Sequence, residues 1–203
     1  MRKILLTLIG IASLFIFSLF VSPKEASAHC DTLDGPVVSA ARKALNTKNV
    51  NYALIWVLPE NEDAIRKALK KAMERRKKAK TKKEKEDADM EFFETLVRIH
   101  REGEGAEFEG VKPAGSIEPE LALADKAAET GNLDDVLDHI DSEENKEIIR
   151  HLFHKLQEKS NYDTNDVPSG REFIESYVVF IHAVEKAIKG ELLEEMAHHH
   201  HEH

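Results

Sequence analysis

The amino-acid sequence predicts an all-α protein: an antiparallel four-helix bundle built from a tandem duplication of helical hairpins, after a cleaved signal peptide. Apolar residues recur at helical spacing through most of the chain beyond residue 36. No stretch shows the apolar and polar alternation of a half-buried strand. Two halves of the chain also match without gaps at a constant offset, and a short helix, a turn and two long helices in each half would supply the bundle. In this match Ala44, Asn49, Leu54, Glu60, Ile65 and Leu69 correspond to Ala127, Asn132, Leu137, Glu143, Ile148 and Leu152.

Residues 1–28 have the three parts of an export signal. Arg2 and Lys3 precede an apolar run over residues 4–21, and Ala26-Ser27-Ala28 forms a small-residue cleavage site. Cleavage after Ala28 predicts a secreted or extracytoplasmic protein with no stable membrane span. The apolar run is nearly long enough to cross a bilayer, so an uncleaved anchor is one alternative. Cleavage a few residues away is another, and it would change the first residue of the mature chain.

Residues 29–36, called the hook here, would begin the mature chain and carry a candidate metal site. Cleavage would place a free α-amine, the His29 imidazole and the Cys30 thiol within one dipeptide. Asp34 can close a loop as a fourth donor, and Gly35 allows a sharp turn beneath the metal. Cys30 is the only cysteine, which excludes an intramolecular disulfide, and a bound metal would protect it from oxidation. These donors favour a transition metal, with copper or nickel the first candidates.

Residues 37–102 form the first predicted helical repeat. Pro36 suits the first turn of a short helix, and the segment 59–63 opens a long helix with a proline and acids in its first turn. A second long helix is predicted over residues 85–101. Twelve lysines and arginines lie between residues 66 and 85. We interpret them as a solvated helix end because no aromatic residues are interleaved, and a surface for phosphate or anionic wall polymers is the alternative.

Residues 103–118 form a long loop that is rich in glycine and broken by proline. Such loops inside a compact domain are typically functional or disordered. The loop is predicted either to pack down as a lid or to be a plain connector. The second helical repeat follows over residues 119–196, and residues 197–203 form a histidine-rich tail. The hook has no counterpart before Pro119, so the candidate site belongs to the first half alone.

Other histidines are weaker metal candidates. His151 and His154 lie three residues apart, one turn after Glu147, which is a spacing that can chelate a metal. Their basic neighbours favour ordinary residues on an exposed helix face. His182 lies on a helical stripe with two glutamates. The tail residues bind nickel, copper or zinc with little selectivity, whether the tail is native or a purification tag. They are His198, His199, His200, His201 and His203.

A dinuclear carboxylate site inside the bundle is a weaker hypothesis. Such sites need a Glu-x-x-His pattern on two helices. Val97 and Val179 instead stand three residues before His100 and His182. We therefore expect buried glutamates to pair with arginines, for which the candidates are Arg98, Arg101 and Arg171.

The charge and the motifs exclude several classes of function. The formal net charge is −9, and removing residues 1–28, with three basic residues and one acidic residue, makes it two charges more negative. This balance argues against general nucleic-acid binding. The sequence has no Ser-His-Asp arrangement, phosphate-binding glycine loop or nucleotide fingerprint typical of a hydrolase or kinase. A homo-oligomer is compatible with the sequence.

The hook resembles the N-terminal nickel hook of nickel superoxide dismutase, which reads His-Cys-x-x-Pro-Cys-Gly-x-Tyr. The matching positions are His29, Cys30 and Gly35, whereas Leu33 replaces the proline and Asp34 replaces the second cysteine. The resemblance implies metal binding by the terminal amine, the first imidazole, a backbone amide nitrogen and thiolate on a four-helix bundle. Losing one thiolate favours copper(II), iron or zinc relative to nickel. The chain also resembles a family of secreted bacterial proteins of unassigned function that share a His-Cys-Asp start.

These observations leave three hypotheses. The first is non-catalytic capture or buffering of copper or nickel by His29, Cys30 and Asp34, together with the histidine tail. The second is a superoxide-dismutase-like redox enzyme at the same hook, in which His29 and Cys30 would be the catalytic residues. The third is a cell-envelope interaction module without a metal.

Overall fold

The computed structural model describes residues 27–192 of the chain. The predicted signal peptide up to residue 26 and the histidine-rich tail therefore lie outside the described residues. Over 27–192 the regular secondary structure is helical, and its one β pairing is an isolated bridge between Thr32 and Lys112. The predicted all-α class is confirmed. None of the helices within this range is long and apolar enough to cross a membrane.

The chain divides into two compact units. The first contains residues 27–118 and 162–174, and the second contains the described residues from 119 to 161 and from 175 onward. The helices in chain order are α1 (Ser27–Cys30), α2 (Pro36–Thr47), α3 (Asn51–Leu54), a 3₁₀ turn (Pro59–Asn61), α4 (Glu62–Lys78), α5 (Lys82–Gly103), α6 (Pro119–Thr130), α7 (Asp134–Leu137), α8 (Glu143–Lys159) and α9 (Val167–Lys189). Helix α9 contributes its first residues to the first unit and the remainder to the second.

Helices α4 and α5 form the hairpin that the sequence predicts for the first repeat. Apolar side chains on both helices are buried, and Arg76 pairs with Asp89 across the hairpin through Nε and Oδ1 at 3.0 Å. Helix α5 begins at residue 82 rather than at the predicted 85. The reason is a cap, because the Thr81 hydroxyl accepts the N–H of Glu84 at 3.1 Å.

The turn after the first helix of each repeat has the same hydrogen bonds. Thr47 donates to the carbonyl of Lys43 at 2.7 Å, and its hydroxyl accepts the N–H of Asn49 at 3.3 Å. Eighty-three positions later, Thr130 donates to the carbonyl of Lys126 at 2.7 Å and accepts the N–H of Asn132 at 3.3 Å. Helix α6 likewise begins and ends 83 positions after α2, and α7 begins and ends 83 positions after α3. This agreement favours the predicted duplication, which stays a prediction together with the four-helix arrangement.

The two turns differ at the residue that ends the helix. Lys48 has φ 60°, and Gly131, its counterpart, has φ 72°. Left-handed backbone crowds the Cβ of an L-residue, whereas glycine adopts it without that cost. The first repeat therefore has a strained lysine at the position where the second repeat has a glycine without that strain.

We predict that Lys48→Gly raises the free energy of unfolding by roughly 0.5–1 kcal/mol, because relief of left-handed strain exceeds the added flexibility of the unfolded chain. Urea denaturation followed by circular dichroism measures the change. Lys48→Ala is the matched control, since it keeps the Cβ and should show no such gain. Equal midpoints for the two variants would contradict the prediction.

Candidate functional site

The hook is wound into a compact turn. His29 and Cys30 end helix α1, and the Thr32 hydroxyl donates to the His29 carbonyl at 3.4 Å. The N–H of Gly35 donates to the carbonyl of Thr32 at 3.0 Å. A Cβ on Gly35 would lie 2.2 Å from the His29 carbonyl oxygen, so the turn closes this tightly because residue 35 is glycine. The sequence predicted a sharp turn here.

The first residues of the hook are buried. His29, Asp31 and Thr32 have no exposed surface, and Cys30 is 4% exposed. Charged and imidazole side chains are seldom fully buried unless they are paired, so this burial marks the segment as a specific structure. Asp34 is exposed. Of the three side chains predicted to bind a metal, His29 and Cys30 are therefore buried and Asp34 is exposed.

The long loop after α5, residues 104–118 and called the strap here, lies on the hook. The N–H of Lys112 donates to the carbonyl of Asp31 at 2.7 Å, and the N–H of Leu33 donates to the carbonyl of Lys112 at 2.9 Å. The N–H of Gly115 donates to Oδ2 of Asp34 at 2.7 Å. The loop therefore packs on the hook, and its role as a lid stays a prediction.

A buried ionic cluster fixes the hook to the end of α5. Arg101 is 1% exposed, and its Nε lies 3.8 Å from Oδ1 of Asp31. Its Nη1 lies 2.8 Å from Oε2 of Glu104. The other carboxylate oxygen of Glu104 lies 3.4 Å from Nε2 of His100, whose Nδ1 is 2.9 Å from the carbonyl oxygen of Trp56. A carbonyl only accepts, so Nδ1 carries a hydrogen and Nε2 faces the carboxylate.

Two of the three arginines pair with a glutamate of intermediate burial, but the side chains of Glu104 and Glu62 are 15% and 27% exposed rather than buried as predicted. Arg101 pairs with Glu104 in this cluster, and Arg171 pairs with Glu62 through Nη2 and Oε1 at 2.6 Å. Arg98 instead pairs with Glu102 on an exposed face. The pairing of Asp31 with Arg101 was not predicted. The one signal for it in the sequence was the position of this acidic residue directly after the only cysteine.

Asp34 is ionised at neutral pH. The N–H of Gly115 and, after it, the Thr32 hydroxyl hold the pKa of Asp34 below its usual value. The carboxylate that was predicted as a metal donor therefore also anchors the strap.

His29 and Cys30 are consecutive buried residues at the end of α1, and Asp34 lies on the exposed side of the turn. Among residues 27–192, no three or more histidine, cysteine, aspartate or glutamate side chains are grouped as a metal site. The α-amine of His29 exists only after cleavage, so the predicted donor set is not complete in the uncut chain. The metal site at His29, Cys30 and Asp34 therefore stays a prediction.

The weaker candidates lie elsewhere. His151 and His154 are exposed on α8, and Nδ1 of His154 lies 3.7 Å from Oε1 of Glu158. His182 is 6% exposed in the second unit, and its Nδ1 is 3.2 Å from Oε2 of Glu185. Lys189 donates to the other oxygen of Glu185 at 2.6 Å. The tail histidines lie outside the described residues.

Comparison with known proteins places the chain in a family. Residues 34–183 match a family of unknown function, DUF6448. The chain belongs to this family. The match contains the strap and Asp34, whereas His29 and Cys30 precede it. No curated protein and no solved structure matches the chain. The expectation of a family of unassigned function is confirmed, and the likeness to the nickel hook stays a prediction.

We predict that Asp34→Ala speeds hydrogen exchange at the Gly115 amide several-fold, because this change removes the carboxylate that accepts its hydrogen bond. Exchange monitored by NMR or mass spectrometry measures the effect, and Glu109→Ala, on an exposed residue of the same loop, is the control. Because the pKa of Asp34 is lowered from 3.8, its contribution is present above that value and is lost as the pH falls through the folded pKa. Wild-type protection that persisted below the folded pKa would contradict the prediction.

A second prediction concerns Glu185, whose pKa His182 and then Lys189 lower from 4.5 to about 2 despite burial. Its stabilising contribution is present above pH 4.5 and is lost as the pH falls toward about 2. Glu185→Gln removes the titrating group, so the urea midpoint should fall less between these pH values than in wild type. Glu175→Gln, on an exposed residue of the same helix, should retain the wild-type pH dependence. An identical slope for all three proteins would refute the assignment.

Proposed function

We propose that the protein is an extracytoplasmic metal-binding protein that captures or buffers copper or nickel at its mature N-terminus without catalysis. The proposed ligands are the new α-amine, the His29 imidazole and the Cys30 thiolate. The observation that carries this proposal is the shared burial of His29 and Cys30, at 0% and 4% exposure, in a turn closed by the strap. An imidazole and a lone thiol, adjacent in sequence and protected from bulk solvent, suit a soft or borderline metal ion.

Cleavage after Ala28 would change the geometry of these donors. Helix α1 spans Ser27–Cys30, so the cut would divide a helix of a single turn. His29 and Cys30 would lose the preceding residues that hold them in helical conformation. They would be free to turn toward a common metal while the ionic cluster at Asp31 keeps the following residue in place.

The new amine must be neutral in order to bind a metal. An α-amino group has an ordinary pKa of about 7.7–8.0, and desolvation disfavours its charged form. The neutral amine is the species that binds a metal, and the metal displaces the proton of the thiol. Metal binding by these groups is therefore expected to strengthen as the pH rises.

Asp34 supplies a fourth donor to the metal and gives up its hydrogen bond to the strap in doing so. Its Oδ2 accepts the N–H of Gly115, so a metal and the strap compete for one carboxylate. This competition supports capture with controlled release rather than a permanently closed structural site. Superoxide dismutation at the same ligands is the alternative, and it additionally requires a metal that cycles between two oxidation states.

We predict that the exported protein lacking residues 198–203 binds about one copper or nickel ion per chain, because the hook provides a single set of donors. Removing the tail is necessary since its histidines would bind metal themselves. Metal analysis after gel filtration, with the thiolate-to-metal absorption band, measures the site. Cys30→Ser should lose the band and His29→Ala the stoichiometric metal.

The matched control is His151→Ala, which removes an exposed imidazole far along the chain and should retain the metal. Absence of stoichiometric metal in the correctly cleaved protein would refute the capture function. Catalytic decay of superoxide, lost in Cys30→Ser, would replace it with the redox alternative.

A further inference from the structure

His100 lies near the end of α5, where the strap begins, and both of its ring nitrogens face an acceptor. Nδ1 lies 2.9 Å from the carbonyl oxygen of Trp56, and Nε2 lies 3.4 Å from Oε1 of Glu104. The residue is 6% exposed, and its ring packs nearly perpendicular to the Trp56 ring. A neutral imidazole has one N–H, which Nδ1 donates to the carbonyl. A neutral His100 would therefore direct the lone pair of Nε2 at a carboxylate.

The charges around His100 favour a second proton on its ring. The other oxygen of Glu104 lies 2.8 Å from Nη1 of Arg101, a pairing that suits an ionised carboxylate. On the far side of the same guanidinium, Oδ1 of Asp31 lies 3.8 Å from Nε. Two carboxylates and one guanidinium give the cluster one negative charge in excess. A protonated His100 makes it neutral, and a buried charge is least costly when opposite charges balance it.

The other elements beside His100 contribute mainly apolar surface. Helices α2 and α4 pack on α5, and their buried residues are Val37, Val38, Ala41, Ala44 and Leu45 on α2, and Ile65, Leu69 and Ala72 on α4. On either side of Trp56, the carbonyls of Leu54 and Val57 accept from Arg171, whose charge is paired with Glu62. In the described part of the chain, Glu104 is thus the one carboxylate in ion-pair contact with the His100 ring.

We propose that His100 is a proton-operated latch, which strengthens the attachment of the strap to the hook when its ring is doubly protonated. A proton on Nε2 makes the contact with Glu104 a charge-assisted hydrogen bond. Glu104 is the first residue of the strap, and it also orients Arg101, which pairs with Asp31 in the hook. Loss of this proton as the pH rises removes the bond and restores the excess negative charge, so the contribution is present at low pH and lost at high pH.

The latch and the contact at Asp34 depend on pH in opposite directions. Asp34 loses its hydrogen bond to the strap as the pH falls, whereas His100 loses its bond as the pH rises. The Gly115 N–H lowers the pKa of Asp34 from 3.8, so Asp34 stays ionised from about pH 5.5 to about 9. The groups at the start of the hook, which are the α-amine, His29 and Cys30, can titrate in that range. A variant of His100 is therefore needed to separate its effect from theirs.

Two measurements on the metal-free exported protein lacking residues 198–203 test the proposal. NMR of the ring nitrogens reads the protonation of His100 directly. Amide exchange reads the Lys112 and Leu33 N–H groups, which join the strap to the hook. From about pH 5.5 to about 9 we expect Nε2 to lose its proton and the protection factors of both amides to fall at least about tenfold, with one midpoint. The Gly131 amide, in the second unit, should keep its protection.

His100→Gln should abolish this pH dependence, because its side chain carries no charge at either end of the range. His154→Gln is the matched control, since His154 also stands four positions before a glutamate, Glu158, but on an exposed face. It should keep the wild-type behaviour. If His100→Gln does not fold, the agreement of the midpoints of the ring and the amides in wild type decides.

Three results would overturn the proposal. The first is a His100 ring that keeps one protonation state throughout the range. The second is amide protection whose midpoint differs from that of the ring. The third is a pH dependence that persists in folded His100→Gln, which would assign it to the hook. All three are read without metal, so they leave the metal function to its own test.

Discussion

The buried guanidinium of Arg101 is the interaction on which the candidate site depends. It lies between the carboxylates of Asp31 and Glu104, and Glu104 continues to His100. Taking a charge out of water is costly, so such a group is held only where opposite charges and hydrogen bonds surround it. Breaking a buried pair by removing one partner typically costs about 3–5 kcal/mol. This constraint joins the second residue after His29 to the end of α5, at the point where the strap begins.

The hook and the strap satisfy each other's backbone groups. The hook cannot bury its backbone without partners, and the strap provides N–H and carbonyl groups from Lys112. The strap in turn has no helix of its own, and its contacts with Asp31, Leu33 and Asp34 give it one conformation. A mobile N-terminus could bind a metal as well, but the thiol would then be open to oxidation.

Helical periodicity and the repeat allowed the sequence to predict the helices, the hairpin of α4 and α5 and the turn after α2. Local signals carry these features, since a cap such as Thr81 or a turn such as 47–51 is read within a few residues. The contact of Gly115 with Asp34 joins positions 81 apart, and loops have no periodicity that would reveal it. Burial of Asp31 was missed for a related reason. A charged residue is expected at the surface unless its partner is known, and its partner Arg101 is distant in sequence.

The two predicted repeats agree in their first turn and differ in their charge. Both repeats have the same turn of threonine and asparagine with helices around it, so these residues contribute to the fold. Between residues 66 and 85 the first repeat has twelve lysines and arginines, whereas the corresponding stretch from 149 to 168 has three: Arg150, Lys155 and Lys159. The second repeat therefore forms its helices with few of these charges, whose crowding in the first repeat carries an electrostatic cost through repulsion between like charges. The hook, the strap and this basic stretch all lie before residue 119, and helices α6 and α7 with their turn form without a counterpart of any of them.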